Sequence, residues 1–370
     1  LGPVPTPAVG LLTNSMRADL GIMISASHNE HNDNGIKFFG PDGYKLSDSV
    51  EVEIEALVSQ GVDCVSPENI GRAKRIDDGR YRYIERVKSS FPNQMRLDGL
   101  KVVIDCANGA GYRAAPEVLW ELGAEVVPVG VSPDGRNINL ECGSTSPRIA
   151  AETVVAHGAD VAICLDGDAD RVLVIDEQGC PIDGDHFLGM IGSRWLKEDI
   201  LVEKTLVSTV MSNMHLETFL NREGIKLIRT AVGDRYVVEQ MRLNGFNLGG
   251  EKSGHVVMTD YSTTGDGLMA GLQFLAEMVR TGEPASVVGR PFDLAPQKTE
   301  NIIYASENNP LDNPSVKKMI SESEKNISGV GRLLVRKSGT ERLIRIMVEA
   351  EDISIIDATI SSISNAIKEL

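Results

Sequence analysis

Short apolar segments with strand character alternate with helix-periodic segments along the middle of the chain, and this alternation strongly constrains its fold. The first unit predicts a strand over residues 101–106, a helix over 114–122 and a strand over 124–129, joined by glycine-containing turns. Similar units follow over residues 150–175 and 205–228. Strands that are apolar along almost their whole length are buried on both faces. The pattern therefore predicts mixed or parallel sheets covered by helices, the α/β class.

Breaks in this pattern divide the chain into four segments. Proline and polar residues interrupt it at residues 91–93 and 282–296, and a fresh strand–helix–strand pattern starts at Lys204. The last segment differs, because a polar helix, two strands around a tight turn and a closing helix predict a small α+β domain. We expect a multidomain α/β protein with three mixed-sheet α/β domains and a C-terminal α+β domain. The expected bounds are residues 1–92, 93–199, 200–291 and 292–370.

The charge and composition of the chain limit its partners. Its formal net charge is -16 at pH 7, whereas nucleic acids and anionic membranes bind basic surfaces. The five cysteines have no CxxC spacing and fit a reducing compartment. No apolar run approaches the roughly 20 residues that span a bilayer. We expect a cytoplasmic protein that binds neither nucleic acid nor membranes, and the sequence leaves a homodimer open.

A cluster of serine, histidine and asparagine forms the first candidate loop. Ser25, Ser27, His28 and Asn29 lie between an apolar strand and a turn at Gly35. Such residues are common in ordinary turns, which is one interpretation. The other is that Ser27 is a nucleophile at the end of a strand, where backbone N–H groups can hold a phosphate. The residues alone leave both interpretations open.

An acidic loop follows a second apolar strand and contains Asp166, Asp168, Asp170 and Arg171. Three carboxylates this close repel one another unless a cation neutralises them. A solvated acidic turn is the alternative, although loops at the edge of such a sheet usually bind ligands. Oxygen donors without cysteine or a nearby histidine favour a hard cation, Mg²⁺ before Mn²⁺.

Two further loops combine groups that suit a sugar phosphate. Glu251, Ser253 and His255 offer polar groups to sugar hydroxyls, although a glycine-rich hairpin turn also explains the segment. Residues 336–341, with Arg345 beyond them, gather cations and hydroxyls. Such a set can bind a phosphate dianion by charge-assisted hydrogen bonds, and a basic surface hairpin is the alternative.

Taken in order, the four loops resemble those of the α-D-phosphohexomutase superfamily, and the similarity runs through essentially the whole chain. The segments that carry it are residues 22–39, 166–171, 232–237 and 336–341. The resemblance implies an intramolecular phosphotransferase with four domains around a central cleft, one loop from each domain facing it. Within the superfamily, the match implies glucosamine 6-phosphate and glucosamine 1-phosphate as substrates, for amino-sugar nucleotide and cell-wall precursor synthesis.

The resemblance also implies a role for each loop. Ser27 would be the phosphoserine, and its phosphate would bind one Mg²⁺ together with the three aspartates of the acidic loop. Lys37 and His255 would transfer protons, and Arg171 would neutralise phosphoryl charge. Glucosamine 1,6-bisphosphate or glucose 1,6-bisphosphate would be the intermediate and activator. Substrate contacts are implied for His28, Gly233, Glu251, Ser253, Arg336, Ser338, Gly339, Thr340 and Arg345.

The comparison with the superfamily further predicts that an N-terminal segment with a glycine- and arginine-bearing loop is absent before Leu1. The first domain would then be incomplete, and its sheet would lack strands. Three rival functions stay open. They are a phosphomannomutase or phosphoglucomutase, a metal-dependent phosphatase, and a truncated sugar-phosphate-binding chain with little turnover.

Overall fold

The chain forms two compact units. The computed structural model describes residues 1–304, 309–337 and 342–368. The units comprise residues 1–209 with 227–291, and residues 210–226 with 292–370. Among the described helices, none is long and apolar enough to cross a bilayer.

The N-terminal part of the first unit places Ser27 in the loop of a β-hairpin. Strands β1 (Gly21–Ser25) and β2 (Gly35–Phe39) pair antiparallel, with Ser25 opposite Gly35. Residues 26–34 therefore form the connecting loop. The surrounding helices are α1 (Thr6–Ser15), α2 (Asp48–Gln60) and α3 (Gly79–Ser89).

A five-stranded mixed sheet carries the acidic loop. Its strands are β3 (Lys101–Asp105), β4 (Glu125–Val129), β5 (Val161–Leu165), β6 (Val172–Asp176) and β7 (Pro181–Ile182), in the order β4-β3-β5-β6-β7. Strand β3 runs parallel to β4 and β5, whereas β6 runs antiparallel to β5 and β7. The associated helices are α4 (Ala114–Glu121) and α5 (Arg148–His157).

Both faces of the central strand β5 are covered, as its apolar sequence predicts. Ala162 and Cys164 belong to the apolar cluster that includes Val154 of α5. The intervening Ile163 meets Gly271 of helix α9 (Gly267–Thr281), where an added Cβ would lie 2.8 Å from the Ile163 side chain. All residues of β5 are therefore buried, and the loop that follows the strand starts inside the protein.

A four-stranded mixed sheet carries the third loop. Its strands are β8 (Thr205–Thr209), β9 (Lys226–Thr230), β10 (Leu248–Gly250) and β11 (Val256–Met258), in the order β11-β10-β8-β9. Strand β10 is parallel to β8 and antiparallel to β11, so residues 251–255 form a hairpin loop. The helices of this region are α6 (Gly184–Lys197), α8 (Asp234–Asn244) and α10 (Ala285–Val288).

The second unit has the α+β architecture predicted for the C-terminal segment. Its antiparallel strands are β12 (Gln297–Ile303), β13 (Gly331–Lys337) and β14 (Leu343–Ala350), in the order β12-β14-β13. Its helices are α7 (Met214–Glu223), α11 (Pro314–Ile327) and α12 (Ile353–Lys368). Val316 of α11 and Ile363 of α12 share an apolar core with Ile346 of the central strand.

Helix α9 begins at a buried carboxyl group. Asp266 is 2% exposed, and it accepts hydrogen bonds from the Met269 N–H at 2.9 Å and the Tyr83 hydroxyl at 3.0 Å. The first bond caps the helix N-terminus. Burial nevertheless raises the pKa of Asp266 to about 6, because desolvation disfavours the ionised form.

We expect this burial to appear in the pH dependence of stability. The folded state binds the Asp266 proton more tightly than the unfolded state does. The free energy of unfolding of the wild type, relative to Asp266→Asn, should therefore rise as the pH falls from about 6 to about 4. The asparagine oxygen can keep both hydrogen bonds. The pKa shift corresponds to roughly 3 kcal/mol, measurable by chemical denaturation at a series of pH values.

Asp78→Asn provides a control of opposite sign. The hydrogen bond from Arg82 lowers the pKa of Asp78, so the wild type should lose stability relative to this variant only as the pH falls below about 4. A flat difference between the wild type and Asp266→Asn from pH 6 to 4 would contradict the assignment of a raised pKa to Asp266.

Candidate functional site

Three aspartate side chains lie buried in the loop between β5 and β6. Asp166, Asp168 and Asp170 are 0%, 1% and 3% exposed, and one oxygen of each lies within 4.8 Å of the other two. The side chains converge because the loop reverses between antiparallel strands, with Ala169 in the left-handed region at φ 59°. The fold thus concentrates negative charge where little water reaches it.

One oxygen of each aspartate is buried and lacks a hydrogen-bond partner among the described residues. These atoms are Asp166 Oδ2, Asp168 Oδ1 and Asp170 Oδ1. A buried anionic oxygen without a partner costs free energy. Carboxylate oxygens are also the ligands that hard cations such as Mg²⁺ prefer. The residues present therefore fit a divalent-cation site.

The pKa values of two of these carboxyl groups move in opposite directions. Burial raises the pKa of Asp166, and the charges of Asp170 and Asp168 raise it further. Burial also opposes ionisation of Asp170, but its interactions with His255 and Lys37 outweigh the burial and lower the pKa of Asp170. Asp170 is therefore the more strongly ionised of the two.

Lys37 and Thr6 bind the other carboxylate oxygens of Asp168 and Asp170. Lys37 Nζ lies 2.6 Å from Asp168 Oδ2 and 2.9 Å from Asp170 Oδ2. The Thr6 hydroxyl donates to Asp168 Oδ2 at 2.5 Å. Burial opposes the charge on Lys37, but the two carboxylates outweigh it and raise its pKa. Lys37 is thus a protonated amine beside the acidic loop.

The acidic loop ends at Arg171, whose guanidinium group is positively charged. Its Nε lies 3.9 Å from Asp170 Oδ1 and has no hydrogen-bond partner among the described residues. A buried guanidinium N–H group of this kind can donate to an anion such as a phosphoryl group. Burial and the Arg171 charge also lower the pKa of His28, which favours a neutral imidazole near pH 7.

Ser27 lies in the left-handed region at φ 51° within the hairpin loop. Its N–H donates to Ser25 Oγ at 2.7 Å, and its hydroxyl oxygen lies 3.5 Å from His28 Nδ1. Gly167 of the acidic loop packs against this turn, because a Cβ there would lie only 2.6 Å from the Ser27 carbonyl oxygen. The structure thus brings the serine loop and the acidic loop into backbone contact.

His255 lies between two carboxylates. Its Nδ1 is 3.6 Å from Asp170 Oδ1, and its Nε2 is 3.5 Å from Asp234 Oδ2. The Gly265 N–H donates to Nε2 at 3.2 Å, so the proton of the neutral ring lies on Nδ1, facing Asp170. Lys45 Nζ lies 2.5 Å from Asp234 Oδ2. Burial opposes ionisation of Asp234, but His255 and Lys45 outweigh it and lower its pKa.

The third loop, residues 251–255, packs against the start of β6. Gly254 has φ 87°, and a Cβ there would lie 2.0 Å from the Val172 carbonyl oxygen. Glu251 Oε1 accepts a hydrogen bond from the Gly233 N–H at 3.0 Å, which joins the loop to the turn before α8. Ser253 is exposed. The structure therefore brings Gly233, Glu251 and His255 together and leaves Ser253 open to solvent.

In the second unit, two arginines lie opposite each other on neighbouring strands. Arg336 of β13 pairs in register with Arg345 of β14. Burial and the Arg345 charge lower the pKa of Arg336, and the buried Nε of Arg336 has no hydrogen-bond partner in the described part of the chain. Like charges in this arrangement repel, and a bound anion would relieve the repulsion. The residues Ser338, Gly339 and Thr340 lie outside the described residues.

The structure also places residues at the site that the sequence interpretation missed. Asp234 lies in segment 232–237, where a carboxylate next to Gly233 was the available signal. Thr6, Lys45 and Asn139 carry no local signal, because each contacts a residue far away along the chain. Thr6 and Asp168, for example, are 162 positions apart.

Comparison with known families agrees with this architecture. Four models of the phosphoglucomutase/phosphomannomutase family match the chain in order, and the chain belongs to this family. The matches are alpha/beta/alpha domain I at residues 1–62, domain II at 81–179, domain III at 183–291 and the C-terminal domain at 300–365. The prediction of a multidomain α/β fold of this superfamily is confirmed.

Individual relatives support the same conclusion. The chain is 64% identical over 369 residues to phosphoglucosamine mutase from Roseobacter denitrificans, covering 100% of this chain and 82% of that protein. Its fold is similar to that of a phosphoglucomutase/phosphomannomutase family protein from Burkholderia thailandensis, with a TM-score of 0.79, 22% identity and coverage of 99% and 81%. It is also similar to Aspergillus fumigatus N-acetylphosphoglucosamine mutase in complex with GlcNAc-6P and magnesium, with a TM-score of 0.75, 19% identity and coverage of 98% and 92%.

We expect Asp168→Asn to weaken Mg²⁺ binding sharply, because it removes one anionic ligand from a site built of carboxylates. Isothermal titration calorimetry measures the change. Asp134→Asn is the matched control, since it removes the same charge from an exposed turn. Equal Mg²⁺ affinity in the two variants would reject the acidic loop as the metal site.

Proposed function

We propose that the chain interconverts glucosamine 6-phosphate and glucosamine 1-phosphate through a phosphorylated Ser27. Identity of 64% to a phosphoglucosamine mutase along the whole chain supports this substrate pair and an isomerase activity. The observation that carries the mechanism is the contact between the Ser27 loop and a buried loop whose three carboxylates have unpartnered oxygens. The five free cysteines are consistent with a cytoplasmic enzyme.

The phosphoryl group moves in two steps that balance. The 1-hydroxyl oxygen of glucosamine 6-phosphate attacks the phosphorus on Ser27, the bond from phosphorus to Ser27 Oγ breaks, and glucosamine 1,6-bisphosphate forms. After the bisphosphate turns around, Ser27 Oγ attacks the phosphorus at the 6-position. Glucosamine 1-phosphate leaves, and its 6-oxygen takes up the proton that the 1-hydroxyl lost. Glucose 1,6-bisphosphate can phosphorylate an unmodified Ser27 by the same second step.

Charge neutralisation is the main requirement of phosphoryl transfer. The aspartates of the acidic loop would hold one Mg²⁺, which would neutralise negative charge on the phosphoryl oxygens. The magnesium in the Aspergillus fumigatus structure supports the choice of this metal. Arg171 offers an unpartnered N–H group beside the same carboxylates.

Lys37 and His255 transfer the protons of the two steps. The raised pKa keeps Lys37 protonated, and the amine can pass its proton only to a more basic group, such as the alkoxide oxygen that leaves in phosphoryl transfer. His255 is the proton acceptor of the pair, because Asp170 faces its Nδ1 and Asp234 faces its Nε2 and both carboxylates stabilise the protonated ring. The two residues therefore have complementary roles in the two steps.

The remaining predicted residues bind the sugar phosphate. His28, Gly233, Glu251 and Ser253 contact the sugar. The two arginines bind the phosphate that is not being transferred, because an anion between them removes their repulsion. Ser338, Gly339 and Thr340 add donors to the same phosphate.

A coupled assay with glucosamine, glucose and mannose phosphates tests the substrate assignment. We expect the highest kcat/KM with glucosamine 6-phosphate. A higher value with either of the other sugars would make the chain a phosphoglucomutase or phosphomannomutase. Release of inorganic phosphate faster than formation of the isomer would instead indicate a phosphatase.

Ser27→Ala should abolish turnover and leave sugar-phosphate binding nearly unchanged, because only the carrier of the phosphoryl group is lost. The coupled assay measures turnover, and calorimetry with glucosamine 6-phosphate measures binding. Ser49→Ala, an exposed serine of α2, is the control. Substantial mutase activity in Ser27→Ala would overturn the phosphoserine assignment.

Arg336→Ala and Arg345→Ala should each raise KM and lower kcat, since binding energy from the distant phosphate helps to align the reacting hydroxyl. Lys298→Ala removes a cation from β12, where Lys298 pairs with Asp357 on the surface, and should leave both constants unchanged. Wild-type kinetics in an arginine variant would remove that residue from the phosphate site.

A further inference from the structure

We propose that Asn139 is a positioning residue that sets the conformation of the loop carrying Ser27. The inference rests on the proposed function, in which Ser27 carries the phosphoryl group. Asn139 lies in the connection between β4 and α5, 112 positions from Ser27 along the chain. Asn139 is 7% exposed. It belongs neither to the acidic loop with its proposed metal ligands nor to the sugar-binding loop.

The side-chain amide of Asn139 bridges the two sides of the serine turn. Its Nδ2 donates to the Ser27 carbonyl oxygen at 2.8 Å and to the Asn29 carbonyl oxygen at 2.6 Å. Its Oδ1 is buried and accepts no hydrogen bond from the described residues. Both N–H donors of the amide are therefore used on the backbone of one loop.

No other hydrogen bond or ion pair ties residues 26–34 to the rest of the described chain. The Ser27 N–H donates to Ser25, the Asn29 N–H donates to the Ala26 carbonyl oxygen, and the Asn29 side chain donates to Asp33. The other bonds of the loop are equally local. Without Asn139, these local bonds would hold the shape of the turn but not its place beside the acidic loop.

The backbone around Asn139 is itself held in place. Its N–H donates to the Ala107 carbonyl oxygen at 2.9 Å, and its φ of 57° lies in the left-handed region, which asparagine tolerates better than most residues. Gly167 completes the contact, because a Cβ there would lie 2.7 Å from Asn139 Nδ2 and 2.6 Å from the Ser27 carbonyl oxygen. Asn139 thus fixes the serine turn at the position where it meets the acidic loop.

A phosphoryl carrier must hold its phosphorus close to in-line geometry, and an error of about 1 Å can cost on the order of 100-fold in rate. Apart from His28, the residues proposed to bind the sugar phosphate lie outside this turn, so a displaced serine turn affects the chemical step more than substrate binding. Loss of the Asn139 amide should therefore lower kcat and leave KM nearly unchanged.

Asn139→Gly tests this role, because glycine accepts the left-handed backbone and removes both donors. The matched control is Glu141→Gly. Glu141 is exposed, lies in the same connection and also has a left-handed backbone, at φ 53°. We expect Asn139→Gly to lower kcat by roughly 10- to 100-fold with less than about a twofold change in KM, whereas Glu141→Gly should match the wild type.

A second variant tests the same role in case Asn139→Gly folds poorly. Asn139→Asp keeps the shape of the side chain and a residue type that tolerates the backbone, but it replaces the amide donors by a charged acceptor that repels the two carbonyl groups. It should lower kcat at least as much. Wild-type kcat in a folded variant of either kind would overturn the positioning role, as would a purely KM effect.

Ser27→Ala, assayed alongside, distinguishes a failure of the positioning role from a failure of the proposed phosphoserine mechanism. If Ser27→Ala is inactive and the Asn139 variants are fully active, the positioning role fails and the phosphoserine mechanism stands. If Ser27→Ala retains activity, the proposed function itself fails. Mass spectrometry of the Ser27 peptide adds a second measure, because Asn139→Gly should become phosphorylated by glucose 1,6-bisphosphate more slowly than Glu141→Gly.

Discussion

The negative charge of three carboxylates buried on one short loop is the constraint on which the rest of the site depends. Lys37 compensates part of this charge at Asp168 and Asp170, and Thr6 donates a hydrogen bond to Asp168. One oxygen of each aspartate still lacks a hydrogen-bond partner among the described residues. A buried cluster of this kind is unfavourable unless a cation binds to it. The unpartnered carboxylate oxygens therefore suit a divalent cation, and their burial does not by itself stabilise the fold.

Close backbone packing brings the other groups to this charge. Gly167 lets the serine turn approach the acidic loop, and Gly254 lets the third loop rest on the start of β6. His255 is thereby held between Asp170 and Asp234. The serine loop, the acidic loop and the third loop come together because these two glycines allow the backbones to pack closely.

Much of this arrangement could be predicted from the sequence, and the remainder could not for physical reasons. The strands and the helices of the α/β segments follow from periodicity, and the buried strand β5 follows from its continuous apolar run. The acidic loop could be recognised because its ligands are neighbours in the chain. Thr6 and Asn139 could not, because an ordinary threonine and asparagine acquire their roles only through contacts that the folded chain creates.

Transfer of a labelled phosphoryl group to Ser27 tests the central claim most directly. Phosphorylated enzyme with ordinary oxygen is mixed with glucosamine 6-phosphate that carries heavy oxygen in its phosphoryl group, and the Ser27 peptide is analysed by mass spectrometry after a single turnover. The account predicts a heavier phosphoserine that appears as fast as glucosamine 1-phosphate forms. Formation of glucosamine 1-phosphate while the Ser27 peptide stays unlabelled would contradict it.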